Sequence, residues 1–149
     1  MRAVIQRVLD ANVKVEKNIV GEIGRGLLVL LGIKDGDSLL DINYIIEKIV
    51  NLRIFEDENE KLNLSMLDLN LEILVVSQFT LYGDCRKGRR PSFSEAASPE
   101  NAKDIYDLFV KKCIERGIKP KTGVFQADMK VSLVNDGPVT ILLDSEKKF

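Results

Sequence analysis

Histidine and tryptophan are absent from this 149-residue sequence. Without histidine there can be no Ser-His-Asp triad, no Cys-His pair and no His-ligated metal site. Cysteine is scarce, and Cys85 and Cys113 match no metal-ligand spacing. Both read as small hydrophobes of a reduced chain. Four prolines are too few for a linker, and no repeat or low-complexity stretch is present. The longest apolar run, Gly26 to Ile33, falls far short of the ~20 residues of a membrane span. The start, MRAVIQRVLD, lacks the apolar block of a secretory signal. The expectation is a soluble cytoplasmic protein, one domain over residues 1–149.

What is present is unevenly charged. The net charge is only −1, which excludes a bulk nucleic-acid coat protein. Yet Asp35 to Glu72 holds ten acidic and three basic residues, while Asp84 to Lys121 holds ten basic and six acidic. Such asymmetry describes either a solvated surface or one face suited to a polyanion.

Residue patterning predicts strands at Arg2–Val8, Asn12–Glu16, Ile19–Ile23, Gly26–Ile33 and Leu71–Val76, with a turn at Lys17–Asn18. Arg53–Phe55 reads as a short strand, and Glu56–Lys61 as a surface loop. Gly26–Ile33 is apolar throughout, as a strand buried on both faces should be. One helix starts near Ser38 with Asp37 as its cap, and carries Leu39, Ile42, Ile45, Ile46 and Ile49 at helical spacing. A second begins at Ser98-Pro99-Glu100 and ends before Gly117. Strands at Met129–Val134 and Val139–Leu143 close the chain. Most connections look too short for crossovers. The expected class is therefore α+β: layered, partly barrel-like, mainly antiparallel sheets with two packed helices.

Three segments are candidates for chemistry. Ser77-Gln78-Phe79-Thr80-Leu81 interrupts an apolar strand at its end, either as fraying or as a ligand site. Thr80 is a candidate nucleophile, but a hydroxyl needs a base, and there is no histidine to serve. Arg86, Lys87, Arg89 and Arg90 cluster around Gly88, either solvated or aimed at phosphates, with Phe93 as a stacking or anchoring ring. Asn135-Asp136-Gly137-Pro138-Val139-Thr140 reads as a tight reversal between strands. A proline directly after that glycine is unusual there, and a cis bond would re-aim the Gly137 carbonyl.

Taken together, five ordered segments give a specific resemblance over the whole chain. MRAVIQRV at the start, SQFTL, GRRPSF at 88–93, TGVFQADM at 122–129 and NDGPVT at 135–140 resemble the D-aminoacyl-tRNA deacylase family. The resemblance implies a homodimer that hydrolyses the ester between a D-amino acid, or glycine, and the tRNA 3′ end, sparing L-aminoacyl-tRNA. It implies no metal and no cofactor. Carried over by motif, Ser77, Gln78, Phe79 and Thr80 line the pocket at the ester. Gly137-Pro138 matches a Gly-cisPro motif inserted into the partner's site, where its carbonyls grip the substrate amino group. Arg7 matches the residue that holds that loop, and Phe125 and Met129 match pocket walls. Gln126 departs from the small residue the family carries there. In the family the 2′-hydroxyl of the terminal adenosine assists, leaving Thr80 a positioning role. The alternatives are a Thr-nucleophile esterase for small D-amino-acid esters and a non-enzymatic tRNA-binding module.

Overall fold

A 14-residue strand, β1 (Arg2–Val15), organises the fold in the computed structural model, which describes residues Met1–Phe149. One edge of β1 pairs antiparallel with β3 (Gly26–Gly32) along its first half and with β2 (Asn18–Ile23) along its second. Its other edge pairs with β8 (Met129–Asp144) along both halves. β6 (Glu72–Ser77) lies parallel to β3, and β7 (Lys121–Thr122) parallel to β6. The resulting sheet curls until its ends approach. A Cβ placed on Gly21 of β2 would lie 2.4 Å from the Thr122 carbonyl oxygen of β7. Only glycine permits that closeness. β4 (Phe55–Glu56) and β5 (Leu62–Leu64) form a separate small hairpin.

The sheet has apolar material on both sides. Leu27, Val29 and Leu31 of β3, with Ile73 and Val75 of β6, face α1 (Leu39–Asn51) and α2 (Pro99–Glu115). Leu28 of β3 and Leu74 and Val76 of β6 face inward, against Val8, Ala11 and Val13 of β1. This explains why β3 and β6 read as unbroken apolar runs. The α+β class and partly barrel-like shape are as expected, and no helix is long and apolar enough to cross a membrane.

Several expectations need correction. The first two strands are one, because β1 carries an irregularity. Its register against β8 shifts between Gln6 and Asp10, and the exposed Leu9 and Asp10 break the alternation. The two closing strands are likewise one. Gln6 pairs with Thr140 and Val8 with Asn135, so Asp136–Val139 bulge out opposite the single residue Arg7. The Asp-Gly-Pro segment is thus a bulge in a continuous strand, not a reversal. The first hairpin turns at Glu16–Lys17, with Glu16 in the left-handed region at φ 54°. β4 begins at Phe55, not Arg53. The α1 cap is Ser38, in a reciprocal box with Asp41; Asp37 instead accepts hydrogen bonds from the Met1 ammonium (2.6 Å) and the Lys34 N–H (2.7 Å). The pairs β3–β6 and β6–β7 are parallel, because α1 and α2 lie in the connections and make them crossovers. Cys113 is buried, where desolvation pushes its thiol up to about 12, but Cys85 is exposed.

Candidate active site

The β6 strand leaves the core at Ser77. Its ladder with β3 is continued by one bond, Gln78 N–H to the Leu31 carbonyl at 2.8 Å. The chain then tightens into a 3₁₀ turn, Phe79–Tyr82, lying over Gly32. A Cβ on Gly32 would sit 2.9 Å from the Leu81 Cβ, so a larger residue would lift the turn off β3. The first bond closing the turn is Leu81 N–H to the Gln78 carbonyl. The N–H groups of Phe79 and Thr80 precede it and have no partner within the turn. The Gln78 side-chain amide donates to the Thr80 hydroxyl. That nitrogen has no lone pair for a proton, so it orients Thr80 without activating it.

A cleft of about 730 Å³ opens beside this turn. Ser77, Gln78 and Phe79 form one wall, and Phe125, Gln126 and Met129 face them across it. Ser77–Phe79 and Phe125–Met129, far apart in the chain, thus meet around one space, while Thr80 lies just outside its lining and touches it through Gln78. Gln126 is in the left-handed region at φ 63° and is exposed on that wall. Phe93, expected as a stacking or anchoring ring, also lines the cleft, and two contributors had no sequence signal. Phe93 packs edge-on against Phe79, ring centroids 5.0 Å apart at 66°. Ala96, Ala97 and Ala102 form a smooth wall at the start of α2. Asp128 is the one ionisable lining residue, and Lys130 pairs with it at 3.0 Å. The alanines and Asp128 could not be named in advance, because small residues and a lone acid have no distinctive pattern.

The cleft is braced from behind. Tyr106 of α2 is buried and donates its hydroxyl proton to the Val75 carbonyl at 2.7 Å. Its ring also lies 5.9 Å from that of Phe125. Burial raises the Tyr106 pKa further above the normal phenol value, so this donor stays protonated.

Arg7, Gly137 and Pro138 form a second constellation, outside the cleft lining of the same chain. The Gly137–Pro138 peptide is cis, and Gly137 has φ 122°, a region that L side chains rarely adopt. The buried Arg7 Nε donates to the Asp136 carbonyl (3.1 Å), and its Nη1 donates to the Ile54 carbonyl (2.7 Å). Asn135 Oδ1 accepts the Val139 N–H at 3.0 Å. Gly137 and Pro138 themselves stay exposed. The bulge is therefore held from beneath while its tip faces outward.

The basic residues Arg86, Lys87, Arg89 and Arg90 lie on an exposed loop that ends one residue before Phe93. Arg86 is engaged with Asp84, whose carboxyl is held at about 2 by hydrogen bonds from Arg86.

The chain is similar to known proteins along its length. A protein described as D-aminoacyl-tRNA deacylase from Thermosipho africanus is 64% identical over 149 residues, covering all of both chains. One from Clostridioides difficile, similarly described, is 61% identical with the same coverage. The solved structure of a c-Myc DNA Unwinding Element Binding Protein superposes with a TM-score of 0.91 at 42% identity, covering 97% of this chain and 98% of that one. A family model described as D-Tyr-tRNA(Tyr) deacylase matches residues 4–144, a span that takes in the cleft, the bulge and Arg7 together. The chain belongs to the D-Tyr-tRNA(Tyr) deacylase family.

Proposed function

We propose that this enzyme hydrolyses the ester joining a D-amino acid or glycine to the 3′ end of tRNA in the cytoplasm, and rejects L-aminoacyl-tRNA. The working unit is a homodimer in which Gly137-Pro138 of one copy completes the cleft of the other. The observation that carries this reading is the separation within one chain. A cleft lined by the start of the 3₁₀ turn lies in one place, and a firmly held, outward-facing Gly-Pro bulge lies in another. A second copy gives both a purpose. β8 supports the pairing, because it bonds to β1 along one edge only and carries exposed Val134 and Leu142.

The chemistry follows from what the cleft holds. Water attacks the ester carbonyl carbon, the bond to the 3′-oxygen breaks, and a proton passes to that oxygen. The N–H groups of Phe79 and Thr80 serve as donors to the developing oxyanion. Ser77, Gln78 and Thr80 position the ester. Proton traffic falls to the substrate's own 2′-hydroxyl, since no side-chain base is bonded to Thr80. The Gly137 and Pro138 carbonyls of the second copy accept hydrogen bonds from the α-ammonium. With ammonium, carbonyl and α-carbon fixed, an L side chain strikes the Gly-Pro backbone, a D side chain points away, and glycine has nothing to strike with.

The test is deacylation of one tRNA charged with D-tyrosine, L-tyrosine or glycine. Loss of the D-tyrosyl and glycyl esters with the L ester intact is expected. Equal loss of both tyrosyl esters overturns the steric wall. An acyl group trapped on Thr80 replaces water attack with a nucleophilic threonine. No turnover despite tRNA binding leaves a binding module.

A further inference from the structure

We infer that the loop from Asp84 to Ser92 is where the enzyme grips the polynucleotide, with Lys87, Arg89 and Arg90 contacting backbone phosphates upstream of the terminal adenosine. This rests on the deacylase reading and adds to it the surface that binds the body of the RNA.

The loop is built to present these charges. Asp84 and Ser92 exchange backbone bonds at its base, N–H to carbonyl at 2.7 and 2.9 Å. Gly88 sits at its tip with φ 74°, and a Cβ there would meet nothing within 4 Å. The residue following the closure is Phe93, whose ring packs on Phe79 at the cleft wall. The loop base is therefore anchored to the site of chemistry, while its tip stands in solvent.

The charge on the loop is not self-cancelled. Arg86 places Nε and Nη2 on the two Asp84 oxygens at 2.9 and 2.7 Å, so one cation is consumed in shaping the loop. Lys87, Arg89 and Arg90 have no carboxylate within 4 Å. Lys130 and Lys103, by contrast, are matched by Asp128 and Asp107. Three unpaired cations within four positions, beside a cleft that takes the end of an RNA strand, fit a run of phosphates. No apolar side chain stands at the tip, which disfavours a lipid surface as occupant.

The test uses the full chain with Lys87→Gln, Arg89→Gln and Arg90→Gln combined. Two substrates are compared: D-tyrosyl-tRNA, and the D-tyrosyl ester of adenosine, which has no phosphate. Each phosphate contact steepens the salt dependence by about 0.7–0.9 in log–log slope, so losing three flattens it by about 2–2.7. Between 50 and 200 mM salt, the wild-type advantage in kcat/KM on tRNA should shrink about 20- to 40-fold. The loss should reside in KM, with the adenosine ester hydrolysed equally by both proteins. An unchanged salt slope overturns the inference. So does an equal loss on both substrates, which would make the loop a brace for Phe93. If the wild type hydrolyses nothing, the deacylase reading fails, and the same slopes measured for binding of uncharged tRNA still decide the loop. Uncharged tRNA should also shield the exposed Cys85 from maleimide; unimpeded labelling at saturating tRNA overturns the assignment.

Discussion

Replacing Arg7 with methionine removes a guanidinium while keeping an unbranched side chain of similar length. The cost can be worked from its contacts. Arg7 is 5% exposed and donates to two carbonyls, Ile54 at 2.7 Å and Asp136 at 3.1 Å. Hydrogen bonds from a charged donor are worth about 1.5–3 kcal/mol each, and the Ile54 carbonyl would lose its bond in a buried setting. Its two carboxylate partners add little, because Asp136 is 30% exposed and Glu56 is 54% exposed at 3.8 Å. Relief from burying the cation offsets part of the loss. The net is about 2–4 kcal/mol, equivalent to roughly 5–15 °C in Tm for a chain of this size. Calorimetry reads the stability, and hydrolysis of D- and L-tyrosyl-tRNA reads the bulge. Both Tm and the D-over-L preference should fall. Arg7→Lys should fall between, since one ammonium cannot span both carbonyls. A methionine variant that melts like the wild type refutes the energetic reasoning. One that melts early but keeps full chiral preference shows that Arg7 braces the core without positioning Gly137-Pro138.

Two further outcomes test the fold. Gly21→Ala drives a methyl group to 2.4 Å from the Thr122 carbonyl oxygen, so it should lower the denaturant midpoint by the equivalent of about 3 kcal/mol; a change under about 0.5 kcal/mol would show that β2 and β7 do not meet tightly. The Glu146 carboxyl is held at about 2, against 4.5 ordinarily, by hydrogen bonds from Lys148 and Lys34. Its stabilising effect is full above about pH 4.5 and is lost as pH falls toward 2, so Glu146→Gln should flatten the acid limb of stability in that window while shifting stability near pH 7 by a constant amount.

The strands buried on both faces were legible because continuous apolar runs such as Gly26–Ile33 permit little else. The helices were legible from Ile42, Ile45, Ile46 and Ile49, and from the Ser98-Pro99 start. What escaped depended on long-range pairing. The exposed Leu9 and Asp10 look like a strand break, and only the partner strand shows that the chain runs on. The Asp136–Val139 bulge looks like a turn for the same reason. The crossovers were missed because the two long connections were weighed together with many short ones. At the cleft, motif residues such as Ser77 and Phe125 could be named in advance. The alanine wall and Asp128 could not, since nothing in their chemistry marks them before the fold assembles them.

Tyr106 has a consequence for heat. Its hydroxyl ties to β6 at Val75, two residues before Ser77, and its ring backs Phe125 on the opposite wall. The same side chain belongs to the main apolar core. Val75, leading into Ser77, and Phe125 therefore rest on one interior strut. On warming, the cleft within one copy should keep its shape until the interior itself gives way, so any earlier loss of discrimination would report separation of the two copies rather than softening of the cleft.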